Sequence, residues 1–360
     1  MDNEKNKIND TATSNNKTME YNNTVTNTMI NQTTTDIIDN DANIEREAHF
    51  LIKRAESKYK PVSCLYSLCN SKSKRYNESC ELFKKAGDKF KKCNQWRKAA
   101  ICYDNCSIIK LKLKESPLKY YQESYLCFSK IDIGNESKMA FQKMNQYLEK
   151  EKQYFQVAKN NETLAQQKEK KKKYDEAINY YMEALKYYNK DGKHENLKTN
   201  IQIKLAELMM INNHPDANKK VPSMLEDVGI YFMKKPTTNN SANDYFGKAV
   251  LSFIYYNNDS SEGDIYIKKY KKISKSFEES SIYSLCCDIS NSMENRDYSK
   301  LTSSIQKYKD INELDEFMYD ILDKLIEKGQ KFSIISSKKI IMILMKSLML
   351  IYNKNPKGKL

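Results

Sequence analysis

The chain has 360 residues, enough for one large core or two domains, and it uses only 8 Gly and 6 Pro. So few turn breakers exclude a many-stranded β fold and point to long helices joined by short loops. The formal charge is +14, from 61 Lys+Arg against 47 Asp+Glu, a balance that suits an acidic partner. Much of the lysine is interleaved with glutamate, as on solvated helix faces, so charge alone does not choose among nucleic acid, anionic lipid and acidic protein.

Residues 1–43 are rich in Asn and Thr, as in Thr11-Ala12-Thr13-Ser14-Asn15-Asn16. Such a stretch buries too little apolar surface to offset its ordering entropy and is predicted to be a disordered arm. It contains no apolar core of the kind a signal peptide needs. Order is expected from Ile44. Ala48, Leu51, Ile52 and Ala55 then recur at helical spacing within Glu45–Tyr59 and form one apolar stripe.

A degenerate repeat follows. An aromatic is succeeded by a small residue at offset three, an aromatic at seven and a small or aliphatic residue at ten. The copies are Tyr76/Ser79/Phe83/Ala86, Trp96/Ala99/Tyr103/Cys106, Tyr121/Ser124/Phe128/Ile131 and Tyr174/Ala177/Tyr181/Ala184. These offsets share one side of a helix, where small residues admit a neighbouring helix and aromatics fill the space between. The pattern predicts an all-α, tetratricopeptide-like helical-hairpin solenoid with repeats longer than the standard motif of about 34 residues. Its segments are a solenoid over 44–255, a C-terminal helical bundle over 256–330 and a divergent apolar and basic tail over 331–360.

The chemistry of an enzyme is missing. There is no glycine-clustered P-loop, no GxGxxG, no GxSxG and no HExxH, so no residue starts a catalytic reading. Nine cysteines include no CxxC pair, and His49, His194 and His214 lie far apart; no metal or cofactor is expected, and the thiols are read as free and reduced. The run Lys168-Glu169-Lys170-Lys171-Lys172-Lys173 lacks interleaved aromatics or arginines. It is read as a solvated helix end, not as a nucleic-acid surface.

From Arg46 to Gly329 the residues resemble the soluble N-ethylmaleimide-sensitive-factor attachment proteins of the alpha/beta type. The resemblance rests on the entry helix REAHFLIKRAESKYK at 46–60 and on the apolar loop Ser63-Cys64-Leu65-Tyr66-Ser67-Leu68-Cys69. Segments 76–90 and 96–107 match the first hairpins, and two later blocks match more specifically: Glu226–Gly229 followed by Ser241–Ala249, and Tyr308–Ile326. Residues 108–170 match weakly.

The resemblance implies a cytoplasmic adaptor, peripherally associated with membranes, that wraps an assembled SNARE four-helix bundle. It also implies recruitment of a hexameric AAA ATPase of the NSF type, which disassembles the bundle in vesicle fusion and intracellular transport. It places Lys159, Lys204 and Lys248 on SNARE-facing lysines, with Lys198 as a neighbour that compensates for Asn200. Asn200, Asn243 and Ser281 stand where the family has basic residues. Leu65, Tyr66 and Leu68 are implied to touch the membrane, and Glu294 the ATPase. The rival readings are a generic tetratricopeptide-like scaffold for a linear peptide, and a divergent copy that binds SNAREs without stimulating the ATPase. A basic RNA-binding protein has only charge in its favour.

Beyond Gly329 the resemblance ends. Ile340–Tyr352 is apolar nearly all round but shorter than a membrane span and interrupted by Lys346. It is expected to pack on the C-terminal helices or to lie at a membrane surface with Lys338 and Lys339 near the headgroups.

Overall fold

In the computed structural model the described residues are 40–60, 72–131, 134–235, 238–257 and 260–354. Among them every regular element is helical: α1 (40–59), α2 (Lys72–Lys92), α3 (Trp96–Lys112), α4 (Leu118–Ser129), α5 (Gly134–Lys150), α6 (Tyr154–Lys170), α7 (Tyr174–Asp191), α8 (Glu195–Ile211), α9 (Ala217–Met233), α10 (Asn239–Asn257), α11 (Ser260–Ile273), the single turn α12 (Lys275–Glu278), α13 (Ser281–Glu294), α14 (Tyr298–Ile311) and α15 (Glu316–Lys354). The chain divides into two compact units between Lys152 and Gln153, a different place from the segment limits drawn above.

In the first unit, α2 to α5 stack in chain order, and α1 meets α2 where Ser79 reaches Ala55. Its core is built from the repeat positions. Ser79, Phe83 and Ala86 are buried, as are Ala99, Tyr103 and Cys106, and Ser124 and Phe128. Tyr76, Trp96 and Ile131 pack against that core from its edge. The small residues bring backbones close enough to bond: Ser79 Oγ donates to the Ala55 carbonyl of α1 at 2.8 Å. The chain is already helical at residue 40, the first one described, so residues 40–43 belong to α1 and not to the Asn/Thr-rich arm. Asp41 in this first turn suits the positive end of the helix dipole.

In the second unit, α6 to α10 stack in the same way and α11 to α14 follow as a packed group. The fourth repeat copy lies in α7, with Ala177, Tyr181 and Ala184 buried. Close packing depends on two glycines. A Cβ on Gly247 would lie 2.0 Å from Ile282 Cγ1, and one on Gly229 would lie 2.6 Å from the Phe246 ring.

The hairpin joints make little use of glycine. Asn94, Lys172 and Arg296 each take φ of 56–57° one residue before the next helix's N-cap position, and Asn213 takes φ of 49° three residues before one. Each turn is closed by a six-to-one bond of 2.8–2.9 Å, as from Lys173 N to the Lys168 carbonyl. This Schellman geometry caps the preceding helix. It outweighs the roughly 1–2 kcal/mol that a side chain pays in the left-handed region, and it explains why so helical a chain needs so few glycines.

The last helix returns across the second unit. Its first half buries Phe317, Met318, Ile321, Leu322 and Leu325 and packs on α8, α10 and α14. Lys324 Nζ donates to the Met210 carbonyl at 2.6 Å, and Lys328 Nζ donates to the Tyr255 carbonyl. These are carbonyls in the final turns of α8 and α10, where cations are favoured. α15 runs unbroken for 39 residues, past Gly329 where the resemblance ends. Residues 341–347 are all exposed, so this stretch does not pack on the C-terminal helices. Phe332 is the last described aromatic to reach the unit, stacking on Tyr298 at 6.3 Å.

Candidate functional site

Three of the four candidate SNARE-facing lysines sit in one charged strip of the second unit, each already paired. On α6, Lys159 Nζ lies 3.0 Å from Glu162, and Glu162 also accepts from the Tyr188 hydroxyl of α7 at 2.5 Å. Two turns along the same face, Glu169 accepts from the Tyr181 hydroxyl at 2.8 Å and binds Lys204 of α8 at 2.9 Å. Glu162 and Glu169 are seven residues apart, as are Tyr181 and Tyr188, so the pairs meet in reverse order, as antiparallel helices require.

Lys204 also faces Glu207 at 3.8 Å. Burial pulls the Lys204 ammonium down, but the hydrogen bond and charge of Glu169, with help from Glu207 and Glu316, hold it above the ordinary lysine range. Burial raises Glu207 against the opposing charges of Lys204 and Lys248, with Asp315 and Glu316 adding to the rise. The strip therefore runs on from Lys204 through Glu207 towards Lys248.

Lys248 differs from its neighbours. It is 6 % exposed, ion-paired with Asp315, and lies over the rings of Tyr245 at 4.9 Å and Phe317 at 5.6 Å. It is held inside the second unit, whereas the resemblance implies a surface role for it. The reason is that α15 starts directly over α10.

Lys198 falls elsewhere. Six residues before Lys204 on the same helix, it points to another side and lines a cleft with Glu195, Gln202, Asp227, Tyr231 and Lys234. Within that cleft Gln202 Nε2 donates to Asp227 at 3.0 Å.

The three positions lacking the family's basic residues differ in their surroundings. Asn200 is exposed. Asn243 is 4 % exposed, donates to the Ser276 carbonyl at 3.1 Å and accepts from the Ser274 and Ser276 hydroxyls at 3.2 Å. Such a junction has no room for a charge. Ser281 donates to Asn312 at 3.3 Å. Glu294 is exposed at the C-terminal end of α13, and Leu65, Tyr66 and Leu68 lie outside the described residues.

The paired acids and the Tyr181 and Tyr188 hydroxyls were not picked out from the sequence, although the matched seven-residue spacings were there to find. Among the described residues no group of three or more His, Cys, Asp or Glu is arranged to hold a metal. The described cysteines are all free thiols, mostly buried and, in Cys102 and Cys286, pushed up by burial. No described helix is long and apolar enough to cross a membrane.

Stacked hairpins with tyrosines buried between them and a lysine–carboxylate strip at the surface define an all-α, tetratricopeptide-like array. The family model for the soluble NSF attachment protein, SNAP, matches residues 46–329, and the chain belongs to that family. It is similar to the alpha-soluble NSF attachment protein of Homo sapiens, 25 % identical over 286 residues that cover 77 % of this chain and 93 % of the relative. Its likeness to the Mus musculus protein of the same name is 24 % over 283 residues, with the same coverage of both chains.

Proposed function

We propose that this chain is an adaptor that grips an assembled SNARE four-helix bundle and recruits an NSF-type hexameric AAA ATPase to it, without catalysis of its own. Family membership over 46–329 supports the reading. The observation that carries it to particular residues is the strip on α6 and α8, where the Lys159 and Lys204 side chains are 40 % and 39 % exposed. A surface acid of the bundle would compete there with Glu162 and Glu169, contributing orientation and on-rate more than affinity. Lys198 would act as a separate contact, Glu294 would face the ATPase, and Leu65, Tyr66 and Leu68 would add a weak peripheral contact with the membrane. That contact acts through effective concentration.

The test is a pull-down against pre-assembled SNARE complex with the wild type and with Lys159→Glu/Lys204→Glu. The expected result is capture by the wild type, weakened by added salt and lost in the variant, with helicity unchanged. Equal capture of both proteins would refute the assignment of this face.

One observation favours a second reading, a copy that binds SNAREs without stimulating the ATPase. The family resemblance implies a short acidic tail, but residues 328–360 contain no acidic residue. ATPase stimulation by the full-length protein on a SNARE complex would decide between the two.

A further inference from the structure

Within the far half of α15, residues 341–347 are all exposed. Ile341, Met342, Ile343, Leu344 and Met345 are each 53–61 % exposed; five successive residues span every side of a helix, so no neighbour covers this stretch. Isolated apolar residues on a surface need no explanation, but a contiguous apolar cylinder does.

Two observations say what covers it. The first is charge. Residues 331–360 contain seven lysines and no acidic residue, so the segment complements an anionic surface and repels a second copy of itself. The second is register. Lys331, Lys338 and Lys346 follow one another at intervals of seven and eight residues, which at about 3.6 residues per turn keeps them within roughly a quarter of the helix circumference. All three are exposed. Leu344 lies on the opposite side with Ile341 and Ile343 on its two flanks, while Met342 and Met345 share the basic edge, so one helix carries lysines along one side and only apolar residues across from them.

We propose that the C-terminal half of α15 is a lipid-binding helix that lies in the interface of an anionic bilayer. Its isoleucine and leucine face enters the acyl boundary and its lysines reach the headgroup phosphates and carboxylates. It does not cross the membrane. The inference goes beyond the adaptor reading and does not depend on it, since it concerns residues past the family match.

The experiment is flotation of the full-length protein with vesicles of phosphatidylcholine alone and of phosphatidylcholine with phosphatidylserine. Binding is expected to the second and to be weak on the first. Each lysine near an anionic surface strengthens binding about fivefold at moderate salt, so Lys338→Ala/Lys346→Ala should lose about twentyfold. Ile343→Glu/Leu344→Glu should lose nearly all binding, with circular dichroism of the rest of the fold intact because both residues are exposed. Binding that survives both variants would overturn the proposal and assign the lipid contact to another part of the chain. Self-association of the wild type that Ile343→Glu/Leu344→Glu abolishes, without phosphatidylserine-dependent flotation, would overturn it in favour of a second copy.

Discussion

The buried ammonium of Lys248 in α10 and the carboxylate of Asp315 form an ion pair at the point where α15 begins. Asp315 has a second role: its other oxygen accepts from Met318 N at 2.9 Å, capping the first turn of α15. One carboxylate thus starts the last helix and fixes it to the middle of the second unit. The pair is asymmetric, because the Lys248 side chain is 8 % exposed and that of Asp315 is 52 %. Asp315→Ala strands a buried charge and removes a cap, and should cost roughly 3–4 kcal/mol. Lys248→Met leaves a carboxylate that water still reaches, and should cost about 1 kcal/mol or less. Urea unfolding of both variants checks the order; equal losses would mean that the pair does not bear on the cap.

Glu169 binds Lys204 at 2.9 Å, so an acidic partner proposed for that lysine would have to compete with it. Glu169→Gln keeps an acceptor for Tyr181 but removes the competing charge. Affinity for an acidic bundle should rise about two- to fivefold at low salt and converge on wild type as salt increases. Titration at two ionic strengths reads this out, and an unchanged affinity at low salt would place Lys204 outside the interface.

Gly247→Ala should destabilise the second unit by roughly 1–3 kcal/mol through overpacking on Ile282. Ile282→Ala removes the atom that would be struck. The double variant should therefore lose less than the two single losses added together, and a thermodynamic cycle measures that coupling. Strict additivity would show that the helices simply move apart.

Lys328 sits where burial lowers its ammonium to about 8 from 10.5. Between those values the unfolded chain binds a proton that the native chain does not, so stability rises with pH across this window. Below about pH 8 both states are protonated and the burial cost is fully present. Lys328→Met should remove this increment. The difference between wild-type and variant stability should change from pH 7 to pH 10 in the wild type's favour, by about 1 kcal/mol once partial exposure is discounted. A flat difference would show that the group is not perturbed.

What the sequence made legible was whatever burial enforces locally. Ser79, Phe83, Ala99, Tyr103, Ala177 and Tyr181 follow from spacing alone because a single helix face has to be apolar and close-fitting. The burial of Lys248 was hidden for the opposite reason: its partner is 67 residues away, and a lysine in an amphipathic stretch looks solvated until the covering helix is known. Asn243 looked like a lost cation but is a buried junction with Ser274 and Ser276, a role only the packed helices reveal. The joints at Lys172 and Arg296 were hidden because left-handed turns usually announce themselves by glycine.

The return of α15 also sets an order of events. Nearly every other helix in the second unit packs on a neighbour in sequence, and such contacts form early because little chain entropy is spent in closing them. Lys324 meets Met210 across 114 residues and Lys328 meets Tyr255 across 73. During synthesis, which runs from the N-terminus, the Met210 and Tyr255 carbonyls wait for their lysines until residues 324 and 328 have left the ribosome. A chain interrupted before Glu316 would have most of its stacked hairpins in place and its latch missing.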